Sequence, residues 1–89
     1  MKQIGDKIND MCALLDFDIN YKGRKADKII KKHIMIWSLR KDGYSLSRVA
    51  GLFGLNHSSV IHCVNKIDNL LFVNDIEVLE YISLLNKNL

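Results

Sequence analysis

Only two residues, Gly54 and Leu55, separate two stretches whose apolar side chains recur at helical spacing. The first runs from Ser45 to Phe53, with Leu46, Val49, Ala50 and Phe53 making one face. The second starts at Asn56 and continues to about Leu71, with Val60, Cys63, Val64, Ile67 and Leu70 facing inward. Ser45 and Asn56 carry the side-chain oxygens that cap helix N-termini. Gly54 suits the left-handed conformation that closes a helix, and Ala50 is small where the two helices would cross. A short helix, a tight turn and a longer helix are the outline of a helix-turn-helix.

The remaining chain reads as further helices packed on this pair. Ile4, Ile8, Met11, Cys12 and Leu15 have amphipathic spacing in a first helix. The segment "DFDINYKGRK" breaks that pattern and reads as a loop, with Gly23 free to take unusual dihedrals. A second helix is expected from about Ala26 to Lys41, with Ile29, Ile30, His33, Ile34 and Trp37 on one side and Gly43 as its stop signal. A last helix, roughly Asp75 to Asn86, places Val78, Leu79, Ile82 and Leu85 inside and opens with two favourable acids, Asp75 and Glu77. Phe72 and Val73 are expected to close the core before it, the other reading being a small apolar patch. The fold class is therefore all-α, a small bundle of four to five helices containing a helix-turn-helix, with residues 1–89 as a single domain.

At 89 residues the chain can hold one core but not a catalytic domain with a second module. No apolar run is long enough to cross a bilayer, and the polar start "MKQIGDKIND" is unlike a signal peptide, so a cytoplasmic location and no membrane partner are expected. Cys12 and Cys63 fall at apolar-periodic positions without CxxC spacing, the pattern of reduced buried thiols. Of the 13 Lys and Arg residues, 11 lie in the first 48 positions, and six crowd into "KGRKADKIIKK", Lys22 to Lys32, against a single acid, Asp27. Such a localised cationic run is the footprint of a polyanion, or else a solvated face.

If Val60, Cys63, Val64 and Ile67 point to the core, then His57, Ser58, His62, Asn65, Lys66 and Asn69 occupy the outer surface of the fourth helix. Polar groups at the first turns of such a helix can hydrogen-bond base edges or hold phosphate with help from the helix dipole. Asn56, His57, Ser58 and Ser59 cluster there, and the capping role of Asn56 and the serines is compatible with that use.

The stretch "SLSRVAGLFGLNHSSVIHCVNKI" resembles the signature of the C-terminal duplex-DNA-binding domain of the bacterial chromosomal replication initiator, DnaA, a helix-turn-helix of Trp-repressor-like type. That signature has the form S-L-x-x-I-G-x-x-F-G-G-R-D-H-T-T-V-x-H-A-x-x-K-I. "KKHIMIWSLRK" is similar to the family's preceding basic helix, and the segment from Lys22 to Lys28 lies where the family has a basic loop. The resemblance implies that His57, Ser58 and Ser59 read bases and phosphates in the major groove, with Asn56 in place of a base-contacting aspartate. It implies that the loop reaches the backbone or minor groove through Lys22, Arg24 and Lys25, and that Ser45, Arg40, Arg48 and Lys66 belong to the DNA contact. His62 matches the second signature histidine, a position open to either a structural or a DNA-contacting role.

The chain also departs from the pattern. "GLNH" is one residue and an arginine shorter than "GGRDH", so base preference is expected to differ from the initiator's. No G-x-x-x-x-G-K-[ST] stretch is present, so ATP-dependent assembly is not implied by this chain.

Other chemistries fit less well. A serine–histidine pair here has no carboxylate placed to orient the imidazole, since Asp68 lies beyond the exposed turns, so no enzyme and no catalytic residue are expected. His57 and His62 are five residues apart, about 140° around a helix, which opposes joint chelation of a metal. His33 reads as a satisfied core or boundary histidine. No cofactor or small-molecule substrate is expected. The expected partner is double-stranded DNA, in replication initiation or its regulation. The alternative is a helix-turn-helix protein-interaction module or a transcriptional regulator, and either reading is compatible with a protein partner or a homo-oligomer on tandem sites.

Overall fold

The computed structural model describes residues 4–88, and among them the secondary structure is entirely helical. The order is α1 Ile4–Leu15, α2 Ala26–Lys41, α3 Leu46–Phe53, α4 His57–Phe72 and α5 Ile76–Asn88. The helix boundaries follow from local chemistry. Ser45 Oγ accepts from the Arg48 backbone N–H at 3.1 Å and starts α3. Gly54, at φ 64°, ends α3 with its N–H on Ala50 O. Asp75 Oδ1 takes the Val78 N–H at 3.0 Å and opens the way into α5.

The central element is α2, which packs against all four other helices. Ile34, Met35 and Ile36 are each fully buried. Three consecutive side chains sweep about 200° of a helix surface, so apolar neighbours surround α2 on most sides. The one-sided face expected from Ile29, Ile30, His33, Ile34 and Trp37 is therefore corrected: Met35, Ile36 and Leu39 are buried as well, while Ile29, Ile30, His33 and Trp37 are only half-buried. The reason is topological. A helix enclosed by four partners needs no polar stripe, and its sequence period is blurred accordingly.

The core joins Met11 and Leu15 of α1, Val49 of α3, Val60 and Ile67 of α4, and Val78 of α5 around α2. Polar links brace its edge. Trp37 Nε1 donates to Asp68 Oδ1 at 2.8 Å, tying α2 to α4, and Lys41 Nζ stands 3.6 Å from the same carboxylate. Lys7 pairs with Asp42, joining α1 to the turn after α2.

Four further expectations change. Gly23 does not have a positive φ; among the described glycines only Gly43 and Gly54 do. Gly23 matters because a Cβ there would overlap the Tyr21 ring. The basic loop ends at Lys25, since residues 26–28 already belong to the first turn of α2. Leu79 is 40% exposed instead of inside. Phe72 and Val73 do not close the core: they are 87% and 65% exposed, because α4 ends at Phe72 and the chain turns through Asn74, at φ 56°, away from the packed side. Among the described residues, no helix is long and apolar enough to cross a membrane.

Candidate functional site

The first turn of α4 is built by its cap. Asn56 is extended at φ −85° and ψ 169°, and its Oδ1 accepts the Ser59 N–H at 2.7 Å. That bond leaves the side-chain amide N–H groups of Asn56 directed elsewhere, on an exposed residue. His57 and Ser58 are also exposed, and Ser59 is half-buried. The His57 ring is tied back across the turn, with Nε2 3.1 Å from Ser47 Oγ on α3. This contact ties the first turn of α4 to α3.

Beside this turn lies a shallow cleft. Lys32 and His33 of α2, Leu55 and Asn56 of the turn, and Ser58, Ser59 and His62 of α4 line it. A second cleft continues past the turn, sharing Lys32, His33 and Leu55 and adding Tyr21, Lys22, Gly23 and Lys28. Lys22 of the loop thus lines a cleft that shares Lys32, His33 and Leu55 with the one lined by Asn56, Ser58, Ser59 and His62, although more than 30 residues separate them in sequence. The loop owes its shape to Tyr21, whose ring lies edge-on to Phe17 at 6.3 Å between centroids and whose Oη accepts from the Lys25 N–H at 3.3 Å. Arg24 and Lys25 are exposed on that loop.

His33 sits where the clefts join. Burial pushes its pKa down from 6.5 to about 4, and the positive charge of Lys66, His62 and Lys32 acts in the same direction. The imidazole is therefore neutral near pH 7, and its Nδ1 is buried without a hydrogen-bond partner among the described residues. It is a boundary histidine, as expected, but not a satisfied one. Burial also raises the thiol pKa of Cys63, which lines the same cleft, and of Cys12; both cysteines are free.

Not every candidate joins these clefts. Lys31, one of the six cations of the run from Lys22 to Lys32, is buried, with its ammonium 5.6 Å from the centre of the Tyr81 ring on α5. Lys28 Nζ donates to Asp16 O at 3.1 Å. The cationic patch is thus smaller than the run suggests. Ser45, Arg40 and Arg48 form a separate group at the start of α3. Arg40 Nη1 donates to Tyr44 O at 2.7 Å, and the exposed Arg48 guanidinium lies 5.7 Å from the centre of the Tyr44 ring. Lys66 is exposed on the flank of α4, close enough to His33 to perturb it.

Three residues were not read as part of the site from sequence. Lys32 and its neighbour His33 line both clefts, a placement signalled only by the i, i+4 repeat of Lys28 and Lys32 on α2. Ile61 is 49% exposed on α4, three residues after Ser58 and four before Asn65, so the outer face of that helix is not wholly polar. An apolar group at that position is suited to a thymine methyl.

Among the described residues, no group of three or more His, Cys, Asp or Glu could hold a metal ion. Asp68 is engaged by Trp37 and Lys41. No family model matches the chain, and neither a curated protein nor a solved structure matches it.

Proposed function

We infer that this chain is a sequence-preferring double-stranded DNA-binding domain. The observation that carries the reading is that the cleft at the α4 N-terminal turn, lined by Asn56, Ser58, Ser59 and His62, shares Lys32 with a neighbouring cleft lined by Lys22 and Lys28. A capped helix N-terminus offers hydrogen-bonding side chains and a positive dipole end, and the neighbouring lysines suit the flanking phosphates. In this reading the outer face of α4 lies in the major groove, with Asn56, His57, Ser58 and Ile61 toward base edges. Lys22, Arg24 and Lys25 meet the adjacent backbone or minor groove, and Arg48, Ser45 and Lys66 hold phosphate. Arg40 acts mainly by fixing Tyr44, hence the start of α3. The resemblance to the replication initiator's domain supports a role in replication initiation or its regulation inside the cell.

The test is selection of bound duplexes from a random library, followed by salt-dependent anisotropy on the winner and on scrambled duplex. Enrichment of a motif, with log affinity falling by about 0.9 per phosphate contact against log salt, is the expected result. His57→Ala and Ile61→Ala blur single positions of the motif, while Arg24→Ala weakens all sequences alike. Absence of enrichment together with salt-insensitive binding overturns the reading.

A second reading, a protein-interaction module, is favoured by one observation: Phe72, Val73, Ile76 and Leu79 are exposed together near the junction of α4 and α5. That junction lies at the far end of α4 from Asn56, about 24 Å along a 16-residue helix. The two surfaces are therefore compatible in one molecule.

A further inference from the structure

Of the large apolar side chains exposed on the described residues, five fall between Phe72 and Leu84: Phe72, Val73, Ile76, Leu79 and Leu84. They concentrate at one end of the bundle. On α5 the exposed face is a shallow groove lined by Ile76, Leu79, Glu80, Ser83, Leu84 and Lys87, on the side opposite to the buried stripe of Val78, Ile82 and Leu85. Its positions follow the 3–4 spacing that one helix presents to another.

The pattern is also self-complementary. When α5 is laid antiparallel on a copy of itself about the midpoint between Tyr81 and Ile82, Ile76 falls opposite Lys87, Leu79 opposite Leu84 and Glu80 opposite Ser83. Leucine meets leucine at two symmetric places. The first turns of α5 carry Glu77 and Glu80, and the last turn carries Lys87. Antiparallel pairing sets each acidic end against the other copy's lysine, whose methylene stem covers Ile76 while its ammonium reaches toward Glu80. A parallel pair would set acid on acid instead.

We propose that this face is a homodimer interface, with a second copy of the chain as its occupant through antiparallel, two-fold α5–α5 packing. Such an isologous contact uses one patch twice and closes on itself. It leaves the N-terminus of α4 free in both copies, and it stands independently of the DNA reading.

Sedimentation equilibrium of the full chain, without DNA, tests it. The expected result is a monomer–dimer equilibrium with the dimer fraction rising over about 1–500 µM, the range suited to a small interface. Leu79→Glu raises the dissociation constant at least about tenfold, and because Leu79 is already half in solvent the helical circular dichroism is retained. Glu80→Lys alone and Lys87→Glu alone each weaken association at low salt, whereas the double variant restores it. A chain that is monomeric throughout the range overturns the proposal and leaves a different protein segment as occupant. A dimer unaffected by Leu79→Glu, or single charge reversals not rescued by the double, overturns this interface and its register.

Discussion

Asn56 uses one amide for two purposes, and substitution can separate them. Its Oδ1 caps α4 by accepting the Ser59 N–H at 2.7 Å, and its N–H donors are left for a base edge in the proposed complex. Asn56→Ala removes the cap and costs about 1 kcal/mol, which lowers the melting temperature of a domain this size by roughly 4–8 °C. Asn56→Asp keeps the acceptor and adds negative charge at the helix N-terminus, worth about 0.3–1 kcal/mol, so stability is held or raised. For DNA the same change exchanges outward donors for an acceptor. The base preferred at that position then moves from one presenting an acceptor to one presenting a donor, a discrimination of about 1–3 kcal/mol, or about tenfold for each 1.4 kcal/mol. Thermal unfolding followed by circular dichroism reads the first effect, and duplex selection on each variant reads the second. An unchanged melting temperature for Asn56→Ala refutes the capping argument. An Asn56→Asp variant that selects the wild-type motif with uniformly lower affinity refutes base contact by this residue.

Other perturbations test the frame around it. Gly54→Ala is expected to lower stability by about 1 kcal/mol through left-handed strain alone, since a Cβ there meets nothing within 4 Å, and urea unfolding should show Gly54→Asn recovering part of the loss. Asp68→Ala leaves the Trp37 indole N–H without its acceptor and should cost about 1–3 kcal/mol in denaturant unfolding; Asp68→Asn, which keeps an acceptor, should cost less. His33 has a folded pKa of about 4, below the ordinary 6.5, so the unfolded chain binds its proton more readily. Its contribution to stability is therefore complete above about pH 6.5 and is lost as pH falls toward 4. An NMR titration in which the His33 ring protonates near 6.5 refutes this, as does a His33→Gln variant with an unaltered pH dependence of stability.

Much of the fold was legible because its signals are local. The end of α2 before Gly43, the Ser45 and Asn56 caps and the left-handed Gly54 each depend on a few consecutive residues whose chemistry has one good local outcome. The candidate site was legible only on α4, where burial of Val60, Cys63 and Ile67 leaves a defined outer face. Lys32 and His33 were missed because their importance comes from facing a different helix. Lys31 was misassigned because a run of charge in sequence says nothing of which side of α2 each side chain takes, and here one turns under Tyr81.

By itself the sequence determined that this chain is a helical bundle and that a capped helix follows a tight glycine turn, since backbone propensity, capping and period act over one or two turns. Tertiary structure decided what depends on enclosure. Four neighbours around α2 made Met35 and Ile36 core residues, and the direction of the turn at Asn74 left Phe72 and Val73 outside. It also decided that a loop cation, Lys22, and the polar turn of α4 line adjoining clefts, because such proximity is set by packing between helices distant in sequence, which no local pattern encodes.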